Sequence, residues 1–275
     1  MLREDAAPPP AISSGDQELL DQLHSAVASE TLGLCYQPIA RSGDGEITGF
    51  EALLRWTTGE RQISPARFIP LAKQANLMPR IGRWVIATAA RQVAEWHRAG
   101  LLLERHLHVN LSLPELLDPE LPAFTTRALG RAGLQPDQFC FEVTERDLRE
   151  GGGPAERAFE QLVAAGFHPV LDDFGVYSSV EVLTRYPFEF AKIHQSLLAE
   201  GERPRHWSRL VRGISGLARS LNITLIVEGV EDEQEMSRAA ALGFGFAQGY
   251  ALGRPDTPGN VGRSLADSRW STGKT

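Results

Sequence analysis

The sequence predicts an α/β fold, a (β/α)8 TIM-like barrel whose first strand runs antiparallel to the second. Three observations carry this prediction. Roughly eight short apolar runs with strand character alternate with helical stretches over about 220 residues, the rhythm of a barrel. No glycine-rich phosphate loop follows the first run, which argues against a doubly wound open sheet. Ser42-Gly43-Asp44-Gly45, between the first two runs, is a hairpin-turn signal that makes that pair antiparallel.

Residues 1–15, with Ala6-Ala7-Pro8-Pro9-Pro10 and Ser13-Ser14-Gly15, read as a flexible leader. A barrel domain follows over 16–256, and 257–275 reads as a loose tail. Asp16 precedes Leu19, Leu20, Leu23 and Val27 at helical spacing behind an N-cap candidate. Strands are expected at 34–40 and 47–56, then helices at 65–75 and 81–99. Trp84, Val85, Ala89, Val93 and Trp96 form the apolar stripe of the second helix. A strand at 107–113, a helix at 121–132, a strand at 139–144 and a helix at 154–165 come next. The remaining strands are expected at 168–172, 188–194, 224–230 and 245–252, with helices at 180–185, 205–220 and 232–242 between them.

With 275 residues, 42% of them hydrophobic and 23% charged, the chain has the composition of a globular protein able to bury a sizeable core. A net charge of −7 argues against a polymeric nucleic acid as partner. It leaves room for a small anionic ligand held by metal ions and local cations. Cys35 and Cys140 each sit in an apolar run, as small hydrophobes rather than a disulfide framework or a zinc set. Met1-Leu2-Arg3-Glu4-Asp5 has no apolar run and reads as no signal peptide. No stretch reaches the roughly 18 apolar residues of a membrane span, so a reducing cytoplasm is the expected compartment.

Active sites of such barrels form at the C-terminal ends of the strands. Those positions hold Glu51, Asn110, Glu142, Glu145, Asp172, Asp173, Lys192, Glu228 and Gln248, mostly in apolar surroundings such as Val109-Asn110-Leu111 and Phe141-Glu142-Val143. Asp172-Asp173, closing the run Val170-Leu171 and followed by Phe174-Gly175, alone could be a solvated turn that caps a helix. Several carboxylates converging on one mouth cannot be buried without cations, and Lys192 supplies a single positive charge. Hard divalent ions with oxygen ligands, Mg²⁺ or Mn²⁺, are the natural compensation, and no His or Cys cluster suggests zinc. Two metals sharing carboxylates about 3.5–4 Å apart hydrolyse phosphate esters. The residues therefore point to a metal-dependent phosphodiesterase or phosphatase, with an enolase-like proton abstraction as the other barrel chemistry built from acids, Mg²⁺ and lysine.

The motifs also carry a resemblance. Tyr36-Gln37-Pro38-Ile39, Glu51-Ala52-Leu53-Leu54-Arg55-Trp56, Val109-Asn110-Leu111-Ser112 and Phe141-Glu142-Val143-Thr144-Glu145 resemble the EAL domain family. So do Asp172-Asp173-Phe174-Gly175, Glu228-Gly229-Val230-Glu231 and Gln248-Gly249-Tyr250, in order from about residue 34 to 255. The family comprises bacterial phosphodiesterases that cleave cyclic di-GMP to linear pGpG, together with degraded members that bind it or bind only proteins. The resemblance implies that Glu51, Asn110, Glu142 and Asp172 hold one metal, Mg²⁺ or Mn²⁺, and that Asp172 bridges to a second that Asp173 also binds. It implies Glu228 as general base or second-metal partner, Lys192 at the attacking water and Gln248 in the active site. Arg55 would meet a substrate phosphate, Gln37 a guanine, and Glu145 would anchor the loop after Asp173. A homodimer and a protein partner supplying the signal are further implications.

Three departures from the family pattern stand out. Gly175-Val176-Tyr177-Ser178-Ser179 is one residue shorter than Gly-Thr-Gly-Tyr-Ser-Ser, and lacks its second glycine. Lys192-Ile193-His194 replaces Lys-Ile-Asp, exchanging an acid for a neutral or cationic group. Lys73 and Asn76 stand where the family favours an acid and a glycine. Two readings follow: an active cyclic di-GMP phosphodiesterase, or a degraded domain serving as a cyclic di-GMP receptor or protein-interaction module.

Overall fold

The computed structural model describes residues 14–101, 106–175, 181–194, 196 and 207–267. Short apolar runs become barrel strands because both their faces are buried, the outer against helices and the inner against one another. The strands are β1 (Gly33–Arg41), β2 (Ile47–Thr58), β3 (Arg61–Ile63), β4 (His106–Asn110), β5 (Phe139–Thr144), β6 (His168–Phe174), β7 (Phe190–His194), β8 (Thr224–Glu228) and β9 (Phe246–Gln248). Their order around the ring is β1-β9-β8-β7-β6-β5-β4-β2, and β1–β2 pairing closes it. β3 pairs only with β2 and prolongs that strand's hairpin, leaving eight strands in the closed barrel. As expected, β1 is antiparallel to β2; it is antiparallel to β9 as well, whereas the other barrel neighbours are parallel.

The helices are α1 (Ser14–Ala28), α2 (Pro65–Gln74), α3 (Met78–Arg98), α4 (Leu113–Leu116), α5 (Leu121–Ala132), α6 (Glu145–Ala164), α7 (Glu181–Arg185), α8 (Trp207–Ser220), α9 (Glu233–Leu242) and α10 (Pro258–Ala266). No helix among the described residues is long and apolar enough to cross a membrane. In α3 the stripe Val85, Ala89, Val93 and Trp96 is buried, and Trp84 is half-buried at its margin. Cys140 is buried in the barrel interior; Cys35 is only half-buried, because it lies on the other face of β1 from buried Tyr36.

Local chemistry overrode the apolar pattern at three places. The strand expected over 107–113 stops at Asn110, because Ser112 and Glu115 form a reciprocal capping box that starts α4. The helix expected from 154 begins at Glu145, where the Thr144 hydroxyl accepts the Asp147 N–H at 3.1 Å. Gly152, at φ 51 and ψ −138, breaks that helix ahead of Pro154. The reading of 257–275 as a loose tail is corrected over its first part. Asp256 exchanges backbone hydrogen bonds with Tyr36 of β1, Pro258 opens α10, and Val261 is buried beneath it. Residues 268–275, and all of the expected leader before Ser14, lie outside the described residues.

The capping carboxylate has a consequence for stability. Glu115 is buried, accepting the Ser112 N–H at 2.8 Å and the Ser112 hydroxyl. Burial pushes its carboxyl up from 4.5 to about 7. Its folded pKa exceeds the unfolded value, so the folded state binds the extra proton between these limits. Stability is expected to fall as pH rises from about 4.5 to 7, by on the order of 3 kcal/mol, and then to level off. Urea unfolding of Glu115→Gln across that window should show a flatter profile than the parent; an unchanged slope would contradict this account.

Candidate active site

Residues two apart on a strand share a face, so the barrel interior is built in layers. One layer is apolar: Ile39, Cys140, Val170, Phe190 and Ile226 pack together, with Phe246 against them. Two residues further toward the C-terminal ends, the same strand faces carry Glu142, Asp172, Lys192, Glu228 and Gln248. On the reversed strand β1 the equivalent step runs backward in sequence, from Ile39 to Gln37. The polar mouth is thus the period-2 continuation of the core.

Lys192, 1% exposed, is the hub. Its Nζ lies 3.0 Å from Glu51 Oε2, 3.0 Å from Glu142 Oε2 and 2.8 Å from Glu228 Oε1. Gln248 Nε2 donates to Glu51 Oε2 at 2.7 Å and to Gln37 Oε1 at 3.2 Å. Asn110 Nδ2 donates to Glu51 Oε1 at 2.6 Å. Burial alone would raise the Glu51 carboxyl, yet Lys192, Gln248 and Asn110 together hold it down to about 2. Burial raises Glu142 well above the carboxylate range, with the charge of Glu51 adding to it. Burial would lower the Lys192 ammonium, but Glu142, Glu228, Glu51 and Asp172 drive it well above its ordinary value.

Asp172 and Asp173 reach the mouth together by a break in the ladder. Adjacent residues of a regular strand point to opposite faces. Here the β6–β7 register shifts between Leu171 and Phe174, and Asp173 takes a left-handed φ of 56. Its N–H donates to Asp172 Oδ1 at 2.9 Å. Ligand atoms of Asp172, Asp173 and Glu228 all lie within 4.8 Å of one another. Burial raises Asp172 well above the carboxylate range.

These residues fit divalent metal. One ammonium faces Glu51, Glu142 and Glu228, and the excess carboxylates gain from any further cation. The donors in the Asp172–Asp173–Glu228 group are carboxylate oxygens, the ligand type of Mg²⁺ and Mn²⁺. His194 is not in that group; its exposed ring accepts the Ser196 N–H at Nδ1, 3.1 Å away.

A cavity of about 350 Å³ opens beside Glu51, Asn110 and Glu142 and is walled by Arg55, Ile69 and Lys73. Arg55 Nη1 donates to the Leu54 carbonyl at 3.0 Å, and among the described residues its guanidinium has no ion-pair partner. Lys73 lies on the cavity wall, 3.7 Å from Asp147. Trp56 is buried against Phe68.

Among the described residues Glu145 lies apart from the carboxylate cluster. As first residue of α6 it pairs with Arg149 at 2.9 Å and borders a different cavity, with Glu181 and Arg185. The loop it was expected to anchor, including Val176 and Tyr177, lies outside the described residues. Sequence reasoning missed His108, buried, with Nδ1 2.8 Å from Glu142 Oε1. The signal was present in His106-Leu107-His108-Val109-Asn110, whose polar residues recur every second position on one strand face. Burial, reinforced by Lys192, pushes the His108 imidazole down to about 3, so it is neutral.

The family model described as the EAL domain matches residues 20–255. An uncharacterized signaling protein of Caulobacter vibrioides is 36% identical, covering 87% of this chain and 29% of its own length. The bifunctional diguanylate cyclase/cyclic di-GMP phosphodiesterase MucR of Pseudomonas aeruginosa is 35% identical, covering 86% of this chain and 35% of its own. A solved structure described as the PaMucR phosphodiesterase in complex with c-di-GMP superposes with a TM-score of 0.80 at 34% identity. That match covers 89% of this chain and 99% of the other. The chain spans about a third of the length of the curated relatives it matches.

Proposed function

The chain belongs to the EAL domain family, and from that premise we propose that it is a divalent-metal-dependent phosphodiesterase opening cyclic di-GMP to linear pGpG. The observation that carries this reading is the convergence of Glu51, Glu142 and Glu228 on Lys192, beside Asp172 and Asp173. Glu51, Asn110, Glu142 and Asp172 would hold one Mg²⁺ or Mn²⁺, and Asp172 and Asp173 a second, with Glu228 beside them as general base or second-metal partner. Such ions lower the pKa of bound water and offset charge on the attacking and leaving oxygens.

The chain's own residues do the rest. Arg55 offers a guanidinium to a substrate phosphate, and Gln37 an amide to a guanine edge. Lys192 keeps Glu51, Glu142 and Glu228 in fixed relation. With a carboxylate taken over by a bound cation, one of the three Lys192 N–H groups is released to contact the attacking water. In the base role Glu228, held through Oε1, has Oε2 to take the proton of that water as the water oxygen bonds to phosphorus and the ester bond to the ribose 3′ oxygen breaks. The leaving oxygen takes a proton from solvent to become the 3′ hydroxyl. Gln248 braces Glu51 and Gln37. The same reading includes a homodimer, a protein partner that supplies the signal, and a cytoplasmic setting.

Purified protein incubated with cyclic di-GMP and Mn²⁺ or Mg²⁺ is expected to yield pGpG, detected by chromatography. No product above that of Glu51→Ala would remove the catalytic reading. The second reading, a receptor or protein-interaction module, draws support from His194 at the end of β7, opposite Glu228 in the ladder, and from the shortened sequence after Gly175. It requires saturable binding of cyclic di-GMP by calorimetry without turnover, or binding of a protein partner alone.

A further inference from the structure

His108 lies 3% exposed on the inward row of β4, one step deeper than Asn110, and the proposed hydrolysis makes no use of it. Its Nδ1 stands 2.8 Å from Oε1 of Glu142, while Oε2 of that carboxylate receives Lys192 Nζ at 3.0 Å. In the ionised form that a cation requires, Glu142 can only accept, so the shared proton belongs to Nδ1 of His108. Glu142 is then gripped through each oxygen by a donor from a different strand, β4 on one side and β7 on the other. One donor alone would leave the carboxyl plane free to turn about its terminal bond; two fix it.

A simple core-filling role is the competing account. The His108 ring is 6.1 Å from that of Phe190, a contact that any apolar group of similar size would satisfy. Such a group would leave Glu142 Oε1 without its imidazole donor, at a residue only 1% exposed. The geometry points to His108 as a positioning residue: its Nδ1–H holds Glu142 Oε1, so that the carboxylate keeps one fixed face toward the divalent cation at the mouth. This rests on the metal-dependent reading above. Outer partners of this kind orient a ligand and set its basicity without touching substrate.

Mn²⁺ affinity measured by isothermal titration calorimetry tests this for the parent, His108→Leu and His108→Asn. Leucine fills space without a donor, and asparagine carries an N–H near the place of imidazole Nδ1. His108→Leu is expected to bind Mn²⁺ about 10–100-fold more weakly, with His108→Asn recovering most of the loss. Nitrogen-15 NMR of the Mg²⁺-loaded parent should find His108 protonated at Nδ1 and bare at Nε2. A folded His108→Leu protein binding Mn²⁺ within twofold of the parent overturns the proposal, as does failure of asparagine to rescue. An Nε2–H tautomer overturns it even if the leucine variant does not fold. A parent that binds no Mn²⁺ removes the metal-dependent reading too, whereas normal parent binding with an indifferent leucine variant removes only the role of His108.

Discussion

Lys192→Met is expected to destabilise the fold by about 3–5 kcal/mol in metal-free buffer, the usual cost of removing one partner from a buried ion cluster. The methionine fills the same space, so the loss is electrostatic rather than a cavity effect. Glu51 and Glu142 would face each other with no ammonium 3.0 Å away, and neither is more than 6% exposed. Their escape is to take up protons, which raises folded carboxyl pKa values above the unfolded ones. The deficit should therefore grow as pH rises from 5 to 8 and shrink again in acid. Added Mn²⁺ should restore part of the loss by binding the folded state. Urea unfolding curves at several pH values read all three effects. A variant within about 1 kcal/mol of the parent at pH 8 would mean that Lys192 is not the counter-charge it is taken for.

Glu228→Gln is expected to lower kcat for pGpG formation by about 10²–10⁴-fold, the range for loss of a general base. The amide keeps the shape and can still accept from Lys192, as Glu228 does at 2.8 Å. It cannot take a proton from water at neutral pH. Binding of cyclic di-GMP should survive, since Arg55 and Gln37 stand on β2 and β1, away from β8. Steady-state kinetics with calorimetry separate the two terms. A kcat within tenfold of the parent would reassign the proton to another group.

Much of this was legible in the sequence, for definite physical reasons. Glu142, Asp172, Lys192, Glu228 and Gln248 became candidates as soon as the barrel was recognised, because they close apolar runs at the C-terminal ends where such barrels carry their sites. The structure adds that each lies two residues beyond an inward apolar residue. The partnership of Lys192 with three carboxylates was not legible, because parity gives the face but not the distance across the ring. Asp173 broke the rule in the other direction: a regular strand would turn it away, and only the register shift and left-handed φ bring it back. Glu145 stands apart from the carboxylate cluster for the converse reason. It follows β5 in sequence, but the cap at Thr144 has already turned the chain into α6. α10 was hidden by its composition, since glycine, proline and serine read as loose until backbone pairing to Tyr36 anchors them.

The reversed direction of β1 has one more effect. A strand parallel to its neighbours would be entered from the far end of the barrel, a full strand length from the cleft. Because β1 runs the other way, its first residue, Gly33, pairs with Arg55 at the cleft rim. α1 is delivered to that rim and rests on its wall: Thr58 donates to Gln22 at 3.1 Å, and Asp16 lies 3.7 Å from Arg67 of α2. α2 in turn lends Ile69 and Lys73 to the cavity. α1 thus stands two contacts from the cavity wall, joined to it along the rim rather than through the barrel.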